Sequence, residues 1–242
     1  MRILVIPDIH GRTGWVPVVN NFLAGAQAAD RVVFLGDYND SFTVPDAVML
    51  DNFIDVLLLK QQEPERVVLL LGNHCVPYLL LPRFQCSGFR PTLAPALHIL
   101  FKHHRHLFQV AYQAGPYLFT HAGVSEMWLK ENGLAIRVLC EMPATVDNLP
   151  AVLNKLLTTE EGQRRLWQVS GYNGGRDRVD GPLWVRPAHL RRGLLPGIIQ
   201  VVGHTPLPGI SWDVKEATQT GVVFTDCHDR QPTEYLTLEL PG

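Results

Sequence analysis

The sequence predicts a mixed α/β fold, and three features carry that expectation. Six short apolar runs bounded by Gly, Asp and Asn read as buried strands: Ile3-Leu4-Val5-Ile6, Val32-Val33-Phe34-Leu35, Val67 to Leu71, Tyr117-Leu118-Phe119, Ile198 to Val202 and Val222-Val223-Phe224. Helical stretches separate the first three, the order a parallel crossover requires. Each run also ends within two residues of a side chain able to hold a metal, a phase that scattered polar residues would not keep.

Taken in order, the stretch from Gly14 to Ala29 suits a helix that returns the chain to a strand at Arg31 to Leu35. Asp46 to Gln62 repeats the pattern, with Val48, Phe53, Ile54, Leu57 and Leu58 near helical spacing and Pro64 ending the run before the third strand. The chain up to Leu71 is therefore βαβαβ. From Tyr78 to His106 the expectation is mostly helix, broken by Pro82, Pro91 and Pro95. Leu107 to Tyr112 and Tyr117 to Thr120 then read as a hairpin around Ala114-Gly115-Pro116, which calls for a mixed sheet or a second sheet. Ser125 to Gln168 carries helical patches, Val152 to Leu157 and Gln163 to Gln168 among them, but interrupts the alternation of strands and ligands. The segment from about 125 to 186 is expected to be a cap or insertion within one domain spanning 1–242. Ser170 to Arg186 is Gly-rich and polar, a loop of the kind that carries binding groups at the mouth of a rigid scaffold. Thr233 to Leu240 alternates as an edge strand does.

Composition narrows the function classes. The 242 residues are 46% hydrophobic, enough for a sizeable core, and a formal charge of -2 with 18% charged residues gives no basic face for non-specific nucleic-acid binding. No run approaches the roughly 18 apolar residues of a membrane span, and the N-terminus lacks a signal peptide's order of regions. Cys75, Cys86, Cys140 and Cys227 are widely separated and form no Cys-x-x-Cys pair, so a reducing cytoplasm is the expected setting.

The chemistry lies at the run ends. Asp8 and His10 follow the first run, Asp37 the second, Asn73 and His74 the third, His121 the fourth, His204 the fifth and Asp226 the sixth. In an α/β sheet the ligand crevice lies outside the carboxyl ends of the strands, where these residues would converge. A carboxylate such as Asp37 has two oxygens and can bridge two cations. Mixed imidazole and carboxylate ligands suit Mn, Fe, Zn, Ni or Co better than Ca. Two ions about 3.5–4 Å apart can activate a bridging hydroxide and stabilise a phosphoryl group under in-line attack, so phosphate ester hydrolysis is the natural reaction.

Five segments, in order along nearly the whole chain, resemble the metallophosphoesterases, in the branch of the serine/threonine phosphoprotein phosphatases and symmetrical dinucleoside tetraphosphatases. They are Asp8-Ile9-His10-Gly11, Gly36-Asp37-Tyr38-Asn39-Asp40, Gly72-Asn73-His74, His121-Ala122-Gly123 and Gly203-His204-Thr205-Pro206. The resemblance implies a two-sheet β-sandwich flanked by helices, an αββα four-layer fold, with metals at strand ends between the sheets. It implies that Asp8 and His10 hold the first ion, that Asp37 bridges, and that Asn73, His121 and His204 hold the second, Mn²⁺ being the first choice of metal. His74 would be the general acid with Asp40 fixing its tautomer, and Arg186 resembles the phosphate-clamping arginine. The implied function is a dinuclear metal-dependent phosphoesterase acting on phosphomonoesters, phosphoprotein included. The alternatives are a nucleotide hydrolase (dinucleoside tetraphosphatase or cyclic phosphodiesterase) and a non-catalytic scaffold.

Two departures stand out. Ser41-Phe42 follows Asp40 where protein phosphatases have Arg-Gly, and Cys75 follows His74 where they have Glu. Arg83, Arg90 and the Arg176 to Arg178 region are the candidates for the lost charge. The Cys86-Ser87-Gly88 stretch is similar to bacterial and phage members. His103-His104-Arg105-His106 looks like a metal tract but lacks acidic or Cys partners and reads as a solvated helix end. Cys227 and His228, close behind Asp226, carry no assignment.

Overall fold

Strand and helix alternate through the first part of the chain as β1 (Arg2–Ile6), α1 (Trp15–Ala24), β2 (Arg31–Phe34), α2 (Asp46–Gln62) and β3 (Val67–Leu70). The computed structural model describes residues 1–170, 174, 177, 179–227 and 233–241, so Arg176, Arg178 and His228 lie outside the described residues. β1, β2 and β3 pair in parallel, Val5 opposite Val33 and Phe34 opposite Leu69, which is the predicted βαβαβ. The α2 helix has its predicted bounds, but its buried face is Met49, Asn52, Phe53, Val56 and Leu57. Val48, Ile54 and Leu58 are exposed despite their apolar character. The broken helical stretch becomes α3 (Val76–Leu79) and α4 (Ala94–His103), each with Pro in its first turn, where the missing N–H costs nothing. His103 ends α4 exposed to solvent.

The expected strand over 107–112 is in fact two. β4 (Phe108–Gln109) joins the β1–β3 sheet, and β5 (Ala111–Ala114) starts a second sheet by pairing antiparallel with β6 (Tyr117–Thr120). One residue, Val110, separates them, so hydropathy alone shows a continuous run. The chain divides at this point into two compact units, Met1–Phe108 with Cys227–Gly242, and Gln109–Asp226.

The first unit is organised by an aromatic chain. Tyr38 packs on Phe34, Phe53 and Phe108, and Phe53 and Phe101 lie 4.5 Å apart by ring centroid. Such contacts add about 0.5–1.5 kcal/mol per pair beyond area burial. The buried Tyr38 hydroxyl donates to the carbonyl of Leu70 at 2.8 Å, fixing the turn after β2 to the end of β3.

In the second unit, β6 leads into α5 (Glu126–Cys140), α6 (Leu149–Leu156), α7 (Glu160–Trp167) and α8 (Pro187–Leu190) before β7 (Ile199–Val202). β6 and β7 are parallel neighbours, so the chain between them is their obligatory crossover. Ser125 caps α5 by accepting from the N–H of Trp128, and Thr159 caps α7 by accepting from Gly162. Asn154 of α6 accepts from the N–H groups of Val110 and Ala111 and donates to the carbonyl of Ala111, tying the helix to the start of β5. β8 (Ser211–Lys215) and β9 (Thr220–Phe224) form a hairpin on β7, giving the order β5-β6-β7-β9-β8. β10 (Leu236–Glu239) is the predicted edge strand and pairs antiparallel with β1 in the first unit, whose sheet runs β10-β1-β2-β3-β4.

Candidate functional site

The predicted residues sit where strands end and the backbone turns sharply. In the first unit His10 has φ 44°, Asp37 φ 50° and Asp40 φ 70°, and in the second His204 has φ 69°. They are four of six non-glycine residues with positive φ among the described residues. Left-handed backbone costs such residues about 1–3 kcal/mol each and clusters at functional sites. Asp and His tolerate it better than bulky or β-branched residues.

Three loops of the first unit are laced together. The N–H groups of His10 and Gly11 donate to the carbonyls of Asp37 and Tyr38 at 2.9 and 2.8 Å. The third loop joins through His74, whose N–H donates to Oδ1 of Asp37 at 2.8 Å. Gly36 makes the approach possible: at φ 108° it occupies backbone that L side chains avoid, and a Cβ there would lie 2.5 Å from the nitrogen of Gly72.

Within this frame one ligand atom each from Asp8, His10 and Asp37 lies within 4.8 Å of the others. Asp8 and Asp37 are buried and His10 is partly exposed. His10 Nδ1 is 2.7 Å from the carbonyl of Asn39, to which it donates, leaving the lone pair of a neutral ring on Nε2, 3.9 Å from Asp8 Oδ2. A carbonyl that fixes the tautomer in this way is the usual outer partner of a metal-binding histidine.

His74 Nδ1 bonds Oδ2 of Asp40 at 2.9 Å, and the hydroxyl of Tyr78 donates to the other Asp40 oxygen. That hydroxyl in turn accepts the N–H of Arg90 at 2.9 Å. Burial pulls the His74 pKa down, but the charge on Asp37 and the bond to Asp40, with Cys86 assisting, outweigh it and hold the imidazole well above its ordinary value. Cys86 Sγ lies 3.4 Å from His74 Nδ1, and burial raises the pKa of its thiol. Cys75 Sγ, fully buried, lies 3.9 Å from Asp37 Oδ1.

Arg90 answers one departure of the sequence. Its guanidinium donates to the carbonyl of Ser41 and pairs with Asp46 at 3.2 Å, so a cation reaches the position that follows Asp40.

In the second unit His121 Nε2 and His204 Nδ1 face each other at 3.1 Å, both residues buried. Two imidazoles on one ion, with bonds of about 2.0–2.1 Å, place their nitrogens roughly 3.0–3.4 Å apart, so the spacing suits a shared cation. His204 Nε2 is 3.1 Å from the carbonyl of Trp184 and donates to it, which leaves Nδ1 as the acceptor. Arg186 donates through Nη1 to the carbonyl of His204 at 3.2 Å and the Thr205 hydroxyl at 3.1 Å, and through Nε to the carbonyl of Gly174 at 2.8 Å. Gly123, at φ 108°, keeps the turn after His121 clear of Leu190, whose Cδ2 would lie 2.4 Å from an added Cβ.

The structure thus gathers Asp8, His10, Asp37, Asp40 and His74 in one unit and His121, His204 and Arg186 in the other. Asn73 is buried between Gly72 and His74. Sequence reasoning missed Tyr78 and gave Cys86 no role. Tyr78 is four residues past His74 at the start of a helix, a spacing that could have flagged it, whereas Cys86 arrives through an irregular loop.

The donor set fits the ions that the family binds: carboxylates and imidazoles, with His10 and His204 each turned toward its lone-pair side by a carbonyl. Among the described residues, no helix is long and apolar enough to cross a membrane. Among curated proteins, none is similar enough to count as a relative. Among solved structures the chain is similar to a cold-active protein tyrosine phosphatase, with 18% identity and a TM-score of 0.57 over 98% of this chain and 73% of that one. It is also similar to a protein serine/threonine phosphatase from Saccharomyces cerevisiae with similarity to human phosphatase PP5, with 16% identity and a TM-score of 0.52 over 93% of this chain and 66% of that one. The family model described as calcineurin-like phosphoesterase matches residues 1–220, and the chain therefore belongs to that family of metal-dependent phosphoric ester hydrolases.

Proposed function

We propose that the protein is a dinuclear metal-dependent phosphatase that hydrolyses phosphomonoesters, phosphoprotein among them. The observation that carries this reading is the His74–Asp40 pair at 2.9 Å, on a backbone tied directly to the Asp37 carboxylate. Asp8, His10 and Asp37 would hold one divalent ion, and Asp37, Asn73, His121 and His204 the second, with Mn²⁺ ahead of Fe, Zn, Ni or Co. The bound ions supply Lewis acidity toward the phosphoryl group and the attacking water.

The chain's own residues do the rest. His74 holds the proton given to the leaving oxygen on Nε2, because Nδ1 is engaged by Asp40. Tyr78 keeps the Asp40 carboxylate in that orientation. Arg186, anchored on His204, and Arg90, anchored on Ser41, bring guanidinium groups for the phosphate oxygens. Both structural neighbours named above are protein phosphatases, which puts phosphoprotein first among substrates to test. Among the described residues Cys75, Cys86, Cys140 and Cys227 form no disulfide, in keeping with a reducing, cytoplasmic setting.

The test is to strip the protein with chelator, restore Mn²⁺ and measure phosphate release from p-nitrophenyl phosphate. Release that needs metal and disappears in Asp37→Asn supports the reading. Release that survives Asp37→Asn rejects it. Cleavage of dinucleoside tetraphosphate without monoester turnover would move the assignment to a nucleotide hydrolase.

A further inference from the structure

We infer that Asp40, His74 and Cys86 form a second kind of metal site, selective for a soft divalent cation such as Zn²⁺, whose occupation blocks the enzyme. His74 Nδ1, Asp40 Oδ2 and Cys86 Sγ are separated by 2.9, 3.4 and 3.8 Å, and one ligand atom from each lies within a 4.8 Å group. Tetrahedral zinc, with bonds of about 2.0–2.3 Å, places such atoms roughly 3.3–3.6 Å apart. The three atoms therefore reach a common ion with shifts of about half an ångström.

The chemistry separates this site from the one that holds the catalytic ions. Those ligands are oxygen and imidazole nitrogen alone, which suits Mn²⁺. A thiolate favours Zn²⁺ or Cd²⁺ over Mn²⁺. The surroundings are already built for an ion, because the Tyr78 hydroxyl holds Asp40 Oδ1 and leaves Oδ2 to the cluster. Cys86 is partly exposed and the His74 side chain is 15% exposed, which gives an ion a way in and leaves a fourth position for water. The elevated thiol pKa is no obstacle, since a coordinated thiol gives up its proton. Binding expels that proton and the Nδ1 proton of His74 to solvent.

The inhibitory consequence rests on the acid role proposed for His74. With zinc in place of the Nδ1 proton, the ring keeps its Nε2 proton, but giving it to the leaving oxygen would now leave a metal-bound imidazolate instead of a neutral imidazole, so the ring becomes a far weaker acid. Zinc in excess of manganese would then slow turnover with Cys86 as the sensitive element.

The test uses the full chain loaded with Mn²⁺ and titrated with Cd²⁺, read by ultraviolet thiolate-to-metal charge-transfer absorption. The expected result is a band that saturates at about one Cd²⁺ per chain and is displaced by Zn²⁺. It should vanish in Cys86→Ser, weaken at least about tenfold in affinity in Asp40→Asn, and persist in Cys75→Ser, the thiol nearest Asp37. Circular dichroism establishes that each variant is folded. Zinc inhibition, scored against each variant's own zinc-free rate, should be relieved in Cys86→Ser. A band that survives Cys86→Ser, or no band in the wild type, overturns the site. Because the band reads sulfur ligation whether or not phosphate is released, its absence beside metal-dependent turnover removes only the zinc site. Its presence without turnover removes only the phosphatase reading.

Discussion

His74 donates its backbone N–H to the Asp37 carboxylate at 2.8 Å, so the proposed acid and the proposed bridging ligand share one rigid joint. A movement of either loop changes both the orientation of the carboxylate and the position of the imidazole. Catalytic groups held to within about 0.5 Å depend on supports of this kind.

His74→Asn should keep metal binding and lower kcat by about 10²- to 10⁴-fold, most for esters with poor leaving groups. Steady-state rates across a leaving-group series, with metal content measured in parallel, check this; an unchanged kcat would remove His74 from the acid role. In the chelated protein, NMR titration of the ring should find its pKa above the ordinary value and Asp40→Asn should bring it down. The sign follows from the raised folded pKa: this contribution to stability is complete below the unfolded value of 6.5 and is lost as pH rises through the folded one.

Arg90→Ala should raise KM for monoesters about tenfold, the scale of one charge-assisted hydrogen bond, and Arg186→Ala should act in the same direction. Arg90→Lys should recover little, because a point charge cannot donate to Ser41 and present a second planar edge. KM and kcat measured separately distinguish a phosphate contact from loss of the Ser41 anchor, which would lower kcat as well.

Asp30→Asn should cost about 1–2 kcal/mol at neutral pH. The Asp30 carboxylate accepts from the N–H of Arg2 at 2.7 Å, from the Arg2 guanidinium and from the N–H of Gln27, fastening the start of β1 to the turn before β2. The backbone N–H of Arg2 is the largest cause, and against the opposing effect of burial these bonds lower the pKa from 3.8 to about 2. Arg2 is 40% exposed, so solvent screens part of the gain. A depressed pKa stabilises above the unfolded value and fails as pH falls through the folded one. Urea melts should therefore show wild type and variant converging between about pH 4 and pH 2.

Gly36→Ala should destabilise by at least about 2 kcal/mol and weaken metal binding together. The added Cβ would meet Gly72 backbone at 2.5 Å in a conformation that already disfavours L side chains. Parallel denaturation and metal titrations check it, and a variant as stable as wild type would show that the two loops can separate without cost.

The alternation of strand and helix through β3, the bounds of α2, the β5–β6 hairpin, the edge character of β10 and the identity of the residues at the strand ends were all legible in the amino-acid order. Those features are local: hydrophobic period, proline placement and short motifs fix them within a few residues. Long-range packing decided that the run over 107–112 is cut at Val110 between two sheets, because a strand's partner is chosen by distant chain. It also decided that Val48, Ile54 and Leu58 face outward on α2, since the aromatic core around Phe53 sets which side is buried. The same holds for the supports of the site. Tyr78 on Asp40, Cys86 beside His74, Arg90 on Ser41 and Trp184 behind His204 join positions 12 to 49 residues apart. No local period records such pairings, because they follow from how the loops are folded onto one another.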